Sequence, residues 1–371
     1  MQRLDEYVHA GGKLLRCGCT TGTCAAAATR AAADLLLGGT CLPAVVVQTP
    51  AGIDVLVDIE EAQEGAGWAC CAVQKDAGDD PDVTDGVMVY ARVSCADEQG
   101  VAIDGGVGVG RVTKAGLDQP VGAAAINSVP RRMICGAARA SARQHSYDGG
   151  LAVEISIPAG VELAERTFNP RLGIEGGISV LGTSGIVRPM SEDALVASIA
   201  AELSVLRATG ADHVLVVPGN YGRDYAQDVL GLDVRQAVTC SNYLGATIDE
   251  AARLGFLSML VVGHLGKMVK VAGGIMNTHS RVADCRAEVF AAHAAMAGAS
   301  QDVVQAIMEA STTDAMVAIV HEAGVLDQTM QSLMARLRRV LAQRAGGALC
   351  VDAVVFSNKY GLLGASIGGI S

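Results

Sequence analysis

From about Gly173 onward the chain repeats one order: a short apolar run, a polar glycine-containing loop, then an amphipathic stretch. That order constrains the fold more than any other feature, because a strand, a crossover and a second strand in one sheet form a parallel, right-handed unit with helices covering the faces. Ile178–Leu181 reads as a short strand before Gly182-Thr-Ser-Gly185. A helix runs from Glu192 to about Thr209, with Leu195, Ile199, Leu203 and Leu206 at helical spacing. Acidic Glu192 and Asp193 suit its first turn and Gly210 its end. His213–Val217 is a buried strand ended by Pro218-Gly-Asn-Tyr-Gly222. Val238–Cys240 is another, ended by Ser241-Asn242 and a helix to about Leu254. Leu257–Val262 is the next, ended by Gly263-His-Leu-Gly-Lys267. A helix follows Asp284, residues 301–344 read as helical, Val351–Phe356 as a last strand, and the glycine-rich tail from Gly361 as loose or a short cover.

The first 170 residues have a different grammar. Thr20-Thr-Gly-Thr23 precedes an alanine- and leucine-rich helix closed by Gly38-Gly39, a hydroxyl-capped start and a glycine stop. Strand-like runs follow at Ala44–Thr49, Ile53–Ile59, Val87–Ser94 and Val153–Ile157, separated by long loops. The expected fold is therefore two-domain: an α+β domain over residues 1–170 with long functional loops, and a parallel-sheet, Rossmann-like α/β domain over 171–371.

Composition removes whole classes of function. Half of the 371 residues are hydrophobic, only 3% are aromatic, and the net charge is −11. Nucleic acid needs a basic face and base-stacking aromatics, so it is not an expected partner. The longest apolar runs, Phe256–Gly263 and Ile199–Leu206, fall well short of the roughly 20 residues that a membrane span requires. The first residues, with Asp5 and Glu6 and no apolar stretch, do not read as a signal peptide. Eleven irregularly spaced cysteines, an odd number, suit free thiols in a reducing cytoplasm. Cys17, Cys19 and Cys24 read as small core residues rather than metal ligands.

In open parallel sheets ligands bind beyond the carboxyl ends of the strands. Four loops are expected at that edge: Gly182–Gly185, Pro218–Gly222, Ser241-Asn242 and Gly263–Lys267. Glycine admits close approach, short polar side chains supply hydrogen bonds, and helix N-termini favour anions. Gly106-Val-Gly-Val-Gly110 leads into no helix, so it is a weak nucleotide fingerprint; no P-loop and no GxSxG elbow is present. Lys75-Asp-Ala-Gly-Asp-Asp-Pro-Asp-Val-Thr84 packs four acids into seven positions. It reads as a solvated turn, as hard-oxygen metal ligands, or as a rigid acidic loop at the active site. Cations are scarce, so Lys114, Arg131, Arg132, Arg171, His264, Lys267, Lys270, His279 and Arg281 count as a set suited to a polyanionic small substrate. His213, His293 and His321 read as structural.

Several of these strings together resemble one family. They are Arg16-Cys-Gly-Cys-Thr-Thr-Gly-Thr-Cys-Ala25, the Lys75–Thr84 loop, Val112-Thr-Lys-Ala-Gly-Leu117, Ala125-Ile-Asn-Ser-Val-Pro-Arg-Arg-Met-Ile134, the stretch from Thr167 to Ser191, Pro218–Gly222, Gly263–Lys267 and Asn277-Thr-His-Ser-Arg-Val-Ala-Asp284. In that order, over about residues 13–356, they resemble the cobalt-precorrin-5B C-1-methyltransferases (CbiD family) of anaerobic cobalamin synthesis. Cys19 and Ala115 depart from the family pattern without touching a polar role. The resemblance implies methyl transfer from S-adenosyl-L-methionine to C-1 of an anionic cobalt tetrapyrrole, giving cobalt-precorrin-6A. The cobalt belongs to the substrate, and no metal of the protein's own is implied. On that reading the hypothesised site divides by role. Gly182, Thr183, Ser184, Gly185, Gly219, Asn220, Ser241, Asn242 and Gly263 cradle the donor. Thr20, Thr21, Thr23, Lys75, Asp80, Lys114, Asn127, Arg131, Arg132, Lys267, His279 and Arg281 contact the macrocycle. Asp76, Asp79 and His264 are the candidate catalytic groups, an acid stabilising the sulfonium or accepting a proton. A homo-oligomer is compatible with this reading. The competing expectations are a non-catalytic tetrapyrrole-binding protein and a metal-dependent α/β hydrolase using Asp79, Asp80, His264 and His279.

Overall fold

The computed structural model describes residues 4–366, and the chain divides into two compact units, Met1–Glu192 and Asp193–Ser371. Both mix helices with sheets.

In the first unit Thr20 caps helix α1 (Thr21–Gly38), its hydroxyl accepting the N–H of Thr23 at 3.2 Å, and Gly39 closes the helix in the left-handed region at φ 66°. The helix is buried along nearly its whole length, which alanine permits because it lets neighbours approach closely. It packs with α2 (Ser128–Gln144) against a five-stranded sheet. The strands are β1 (Glu61–Gly65), β2 (Trp68–Gln74), β3 (Met88–Ala96), β4 (Val101–Gly105) and β5 (Gly150–Ser156), in the order β1-β2-β3-β5-β4. All neighbours are antiparallel except β5 and β4. Alternation along β3 places Val89, Ala91 and Val93 in the core, as a half-buried strand requires. Asn127 stands at the N-cap of α2 without a side-chain cap bond; Asp118 takes that task, accepting the N–H and hydroxyl of Ser128.

The second unit carries β6 (His213–Val217), β7 (Val238–Thr239), β8 (Ser258–His264), β9 (Cys350–Ser357) and β10 (Gly361–Ser366), ordered β7-β6-β8-β9-β10. The first four run parallel. The tail from Gly361, expected to be loose or a short cover, pairs through Gly361–Ser366 as an antiparallel edge strand on β9, so the sheet is mixed rather than wholly parallel. The part of the tail beyond residue 366 lies outside the described residues. The helices are α3 (Glu192–Ala208), α4 (Leu244–Arg253), α5 (Leu265–Ala272), α6 (Arg286–Met296), α7 (Gln301–Glu309), α8 (Thr313–Glu322) and α9 (Leu326–Ala345). β8 is buried on nearly every residue, the pattern of a central strand covered on both faces. Among the described residues no helix is long and apolar enough to cross a membrane.

Candidate functional site

Three of the four expected loops meet at the carboxyl edge of the second unit's sheet. β6 ends at Pro218 and Gly219, β7 runs out to Asn242, and β8 ends in His264, which begins α5. Together with the segment Thr278–Ser280 they enclose a cleft of about 420 Å³. The lining contains Gly219, Asn242, His264, Lys267 and His279, all expected, with Tyr221 from the expected Pro218–Gly222 loop, Lys270 from the expected cationic set, and Arg286, which the sequence did not single out.

The local geometry explains how the loops hold. Gly222 lets the short helix after Gly219 press on β8, since a Cβ there would lie 2.5 Å from the Val262 carbonyl oxygen. A Cβ on Gly219 would meet nothing within 4 Å, so its missing side chain is open cleft space. Ser241 holds a left-handed φ of 52°, uncommon for a residue with a side chain. The Lys267 ammonium ties two loops together, donating to the carbonyls of Pro218 at 2.9 Å and Ser241 at 3.0 Å. Burial pulls Lys267 below its ordinary pKa, Cys240 opposes that shift and Lys270 adds to it. Lys270 donates to the carbonyls of Thr278 (3.3 Å) and Ala283 (3.1 Å). Thr278 in turn joins Asn242 through a backbone bond of 2.9 Å and a side-chain bond of 3.2 Å.

Both cleft histidines are fixed by backbone N–H groups two residues on. His264 Nδ1 accepts from Gly266 at 3.1 Å and His279 Nδ1 accepts from Arg281 at 3.0 Å. With Nδ1 accepting, the neutral ring carries its proton on Nε2. His264 Nε2 lies 3.9 Å from the Asp314 carboxylate, which accepts the Ser357 hydroxyl at 2.7 Å. The His264 ring stands edge-on to Phe356, centroids 5.6 Å apart, and Phe356 stacks on Tyr225 at 4.1 Å. His264, expected as a catalytic candidate, thus has one nitrogen capping α5 and the other facing a carboxylate.

The remaining expected residues lie elsewhere. Gly263 packs against Met268 rather than opening into the cleft; Asn220 and Arg281 are exposed beside it. The Gly182–Gly185 loop belongs to the first unit, which corrects its placement among the sheet-edge loops. Thr20 donates its N–H to the Gly185 carbonyl at 3.2 Å, Thr23 donates its hydroxyl to the same oxygen at 2.6 Å, and Gly182 (φ 139°) leaves room for Thr20. Ser184 donates its hydroxyl to the Ile186 carbonyl at 2.9 Å. Thr183 is exposed and Thr21 buried.

The acidic loop is a partly exposed turn whose carboxylates are held by partners within the first unit. Lys75 is buried and pairs with Asp82, and its ammonium reaches the Thr84 hydroxyl at 2.6 Å. Asp76 is engaged at both oxygens by Arg16, at 2.8 and 2.6 Å, and the bond raises the Arg16 pKa. Asp79 accepts the Arg16 N–H at 2.7 Å, and Asp80 accepts the Met190 N–H at 3.0 Å. Arg16, whose anchoring part the sequence did not reveal, is the hub of this loop. Arg131 is likewise engaged, donating to the carbonyls of Ile126, Ile103 and Ala124, and burial lowers its pKa. Lys114 donates to the Arg171 carbonyl at 3.2 Å, while Arg132 is exposed. Among the described residues no group of three or more His, Cys, Asp or Glu side chains is arranged to hold a metal ion.

Comparison with known proteins assigns the lineage. The CbiD family matches residues 8–189 and the CbiD C-terminal domain matches residues 277–367. The chain is 47% identical to the cobalt-precorrin-5B C(1)-methyltransferase of Ruminiclostridium cellulolyticum, over 96% of this chain and 92% of that protein. It is 42% identical to the protein of the same name from a Thermoanaerobacter species (97% and 98% covered). It is 41% identical to that of Photorhabdus laumondii (98% and 96%). A solved cobalamin biosynthesis protein (cbiD) from Archaeoglobus fulgidus is 30% identical, covering 74% of this chain and 86% of that one, with a TM-score of 0.41.

Proposed function

The chain belongs to the CbiD family, and from that premise we propose that it is a methyltransferase that methylates C-1 of cobalt-precorrin-5B in cobalamin biosynthesis. The observation that carries this reading is near-full-length identity of up to 47% to proteins of that name. We take the donor to be S-adenosyl-L-methionine and the working compartment the cytoplasm.

The donor, when bound, supplies an electrophilic methyl group on a sulfonium. The second unit's cleft fits a ligand of that size, since pockets for small ligands and cofactors run from roughly 300 to 1,000 Å³. Gly219 leaves space, Asn242 offers a side-chain amide, and exposed Tyr221 offers an aromatic face. The protein's task is alignment: fixing two reactants in attack geometry supplies as much as about 7–11 kcal/mol of barrier reduction. The fixed geometry of the cleft supports that role. Lys267 and Lys270 hold its loops, and His264 caps α5 with a fixed ring. Lys114 and Arg132 in the first unit are the exposed cations we assign to macrocycle carboxylates, with Asn127 as a further polar candidate.

The test is anaerobic incubation of the chain with cobalt-precorrin-5B and donor labelled in its methyl group. Label transferred to C-1 supports the reading. Tetrapyrrole binding with no transfer supports the carrier alternative instead.

A further inference from the structure

Lys267 and Lys270 lie one turn apart on α5, and among the described residues neither forms an ion pair with a carboxylate. Lys270 is only 4% exposed, and Lys267 is half-buried. Both are held only by carbonyl oxygens, two apiece. Asp284, whose carboxylate feels the Lys270 charge at a distance, pairs with Arg286 through bonds of 2.8 and 2.7 Å, and Asp314 faces His264 and accepts from Ser357. The cleft that both lysines line contains no Asp or Glu, although acids outnumber Lys and Arg by 39 to 28 in the chain.

Lys75 shows this protein pairing a buried ammonium with a carboxylate of its own. It is as buried as Lys270 and is met by Asp82 and Thr84. A buried charge without an ion pair carries a desolvation cost that carbonyl dipoles offset only in part. An ammonium also has three donors, and each of the two cleft lysines uses two. Beside them His279 presents Nε2–H, its Nδ1 being tied to Arg281.

We propose that Lys267 and Lys270 form a carboxylate site whose counter-charge is supplied by the ligand, with His279 as its neutral donor. The geometry carries the anion site. The choice of a carboxylate rests on the methyltransferase reading, in which both reactants bear one: the macrocycle on its rim and the donor on its amino-acid end.

Calorimetry on the full chain tests it with three probes. They are S-adenosylhomocysteine, 5′-methylthioadenosine (the same thioether nucleoside without the amino-acid end) and uroporphyrin, a cobalt-free polycarboxylated tetrapyrrole. Lys267→Met and Lys270→Met should each weaken a carboxylate probe at least tenfold, and Lys267→Arg should keep it within threefold of the wild type. Loss confined to S-adenosylhomocysteine assigns the site to the donor, and loss confined to uroporphyrin assigns it to the macrocycle. If Lys270→Met fails to fold because its loop is released, Lys267→Met decides alone. Binding of both carboxylate probes within twofold of wild type in the Met variants overturns the proposal, as does a wild-type chain that binds neither. Lysine-dependent binding in a chain that transfers no methyl leaves this site standing and removes the methyltransferase reading instead.

Discussion

The imidazole of His264 accepts the backbone N–H of Gly266 on Nδ1, at 3.1 Å, and so caps α5 from the end of β8. A ring in that role is replaceable by another good cap. His264→Asn should fold with stability close to wild type, whereas His264→Ala should lose about 1 kcal/mol, the usual worth of a helix cap. Methyl transfer by His264→Asn should stay within tenfold of wild type. A drop of the order of 10²–10⁴ without loss of stability would instead identify a general base.

The same ring makes stability fall in mild acid. Burial holds His264 below its ordinary pKa, with Asp314 pulling the other way. Burial, then Arg336 and Arg339, does the same to His293. Unfolding frees both rings to take protons near pH 6.5, so below that value the unfolded chain binds more protons and is favoured. The contribution is complete above about pH 6.5 and is lost as the pH drops through the folded-state values. The melting temperature should therefore begin to fall below pH 6.5, ahead of the carboxylates, and the double variant His264→Asn, His293→Asn should flatten that limb. A wild-type melting temperature constant from about pH 7.5 down to 5 contradicts this linkage.

What the sequence made legible follows from how local each signal is. The Thr20 cap and the Gly39 stop are written within a few residues of the helix they bound, and the parallel strands announce themselves as apolar runs before glycine loops. β10 was hidden because its Gly361–Ser366 string has poor strand propensity and is ordered by pairing with β9; tertiary context overrode the local preference. The Gly182–Gly185 loop has the composition of a sheet-edge loop, yet nothing local says which sheet it serves; its partners Thr20 and Thr23 are some 160 positions earlier. Lys270 stands in the sequence as one cation of a set, and its burial without an ion pair among the described residues is what the sequence did not tell. The acids of the Lys75–Thr84 loop were plain in the sequence, but their engagement by Arg16 was not, because that pairing spans 60 residues.

Lys75 should prove a stability residue of the first unit. Its ammonium is buried between the Asp82 carboxylate and the Thr84 hydroxyl, and this pairing, through Coulomb attraction and hydrogen bonds, works with Thr84 against burial to lower the Asp82 pKa. Lys75→Met removes a charge-assisted hydrogen bond and leaves Asp82 half-buried without its partner, a loss of about 1.5–3 kcal/mol. Chemical denaturation of the variant should show that loss, and because Asp82 returns toward ordinary carboxylate behaviour, the stability gap to wild type should narrow on acidification through its range. A variant as stable as wild type but defective in tetrapyrrole binding would place Lys75 on the substrate instead.

Gly219 offers the cleanest block of the cleft. Its φ of 162° is extended backbone that any residue adopts, so a side chain there brings no strain of the kind that glycine alone relieves. A Cβ at this position meets nothing within 4 Å, and the space it enters is the cleft that Asn242, Lys267 and His279 also line. Gly219→Val should therefore fold with a melting temperature within a few degrees of wild type, a shift of less than about 1 kcal/mol. The added branched side chain fills volume that a bound ligand needs. Binding of S-adenosylhomocysteine should weaken at least tenfold, with Gly219→Ala intermediate. Equal loss in denaturation and binding would mean that the loop had collapsed; undiminished binding in a stable Gly219→Val variant would show that the donor binds elsewhere.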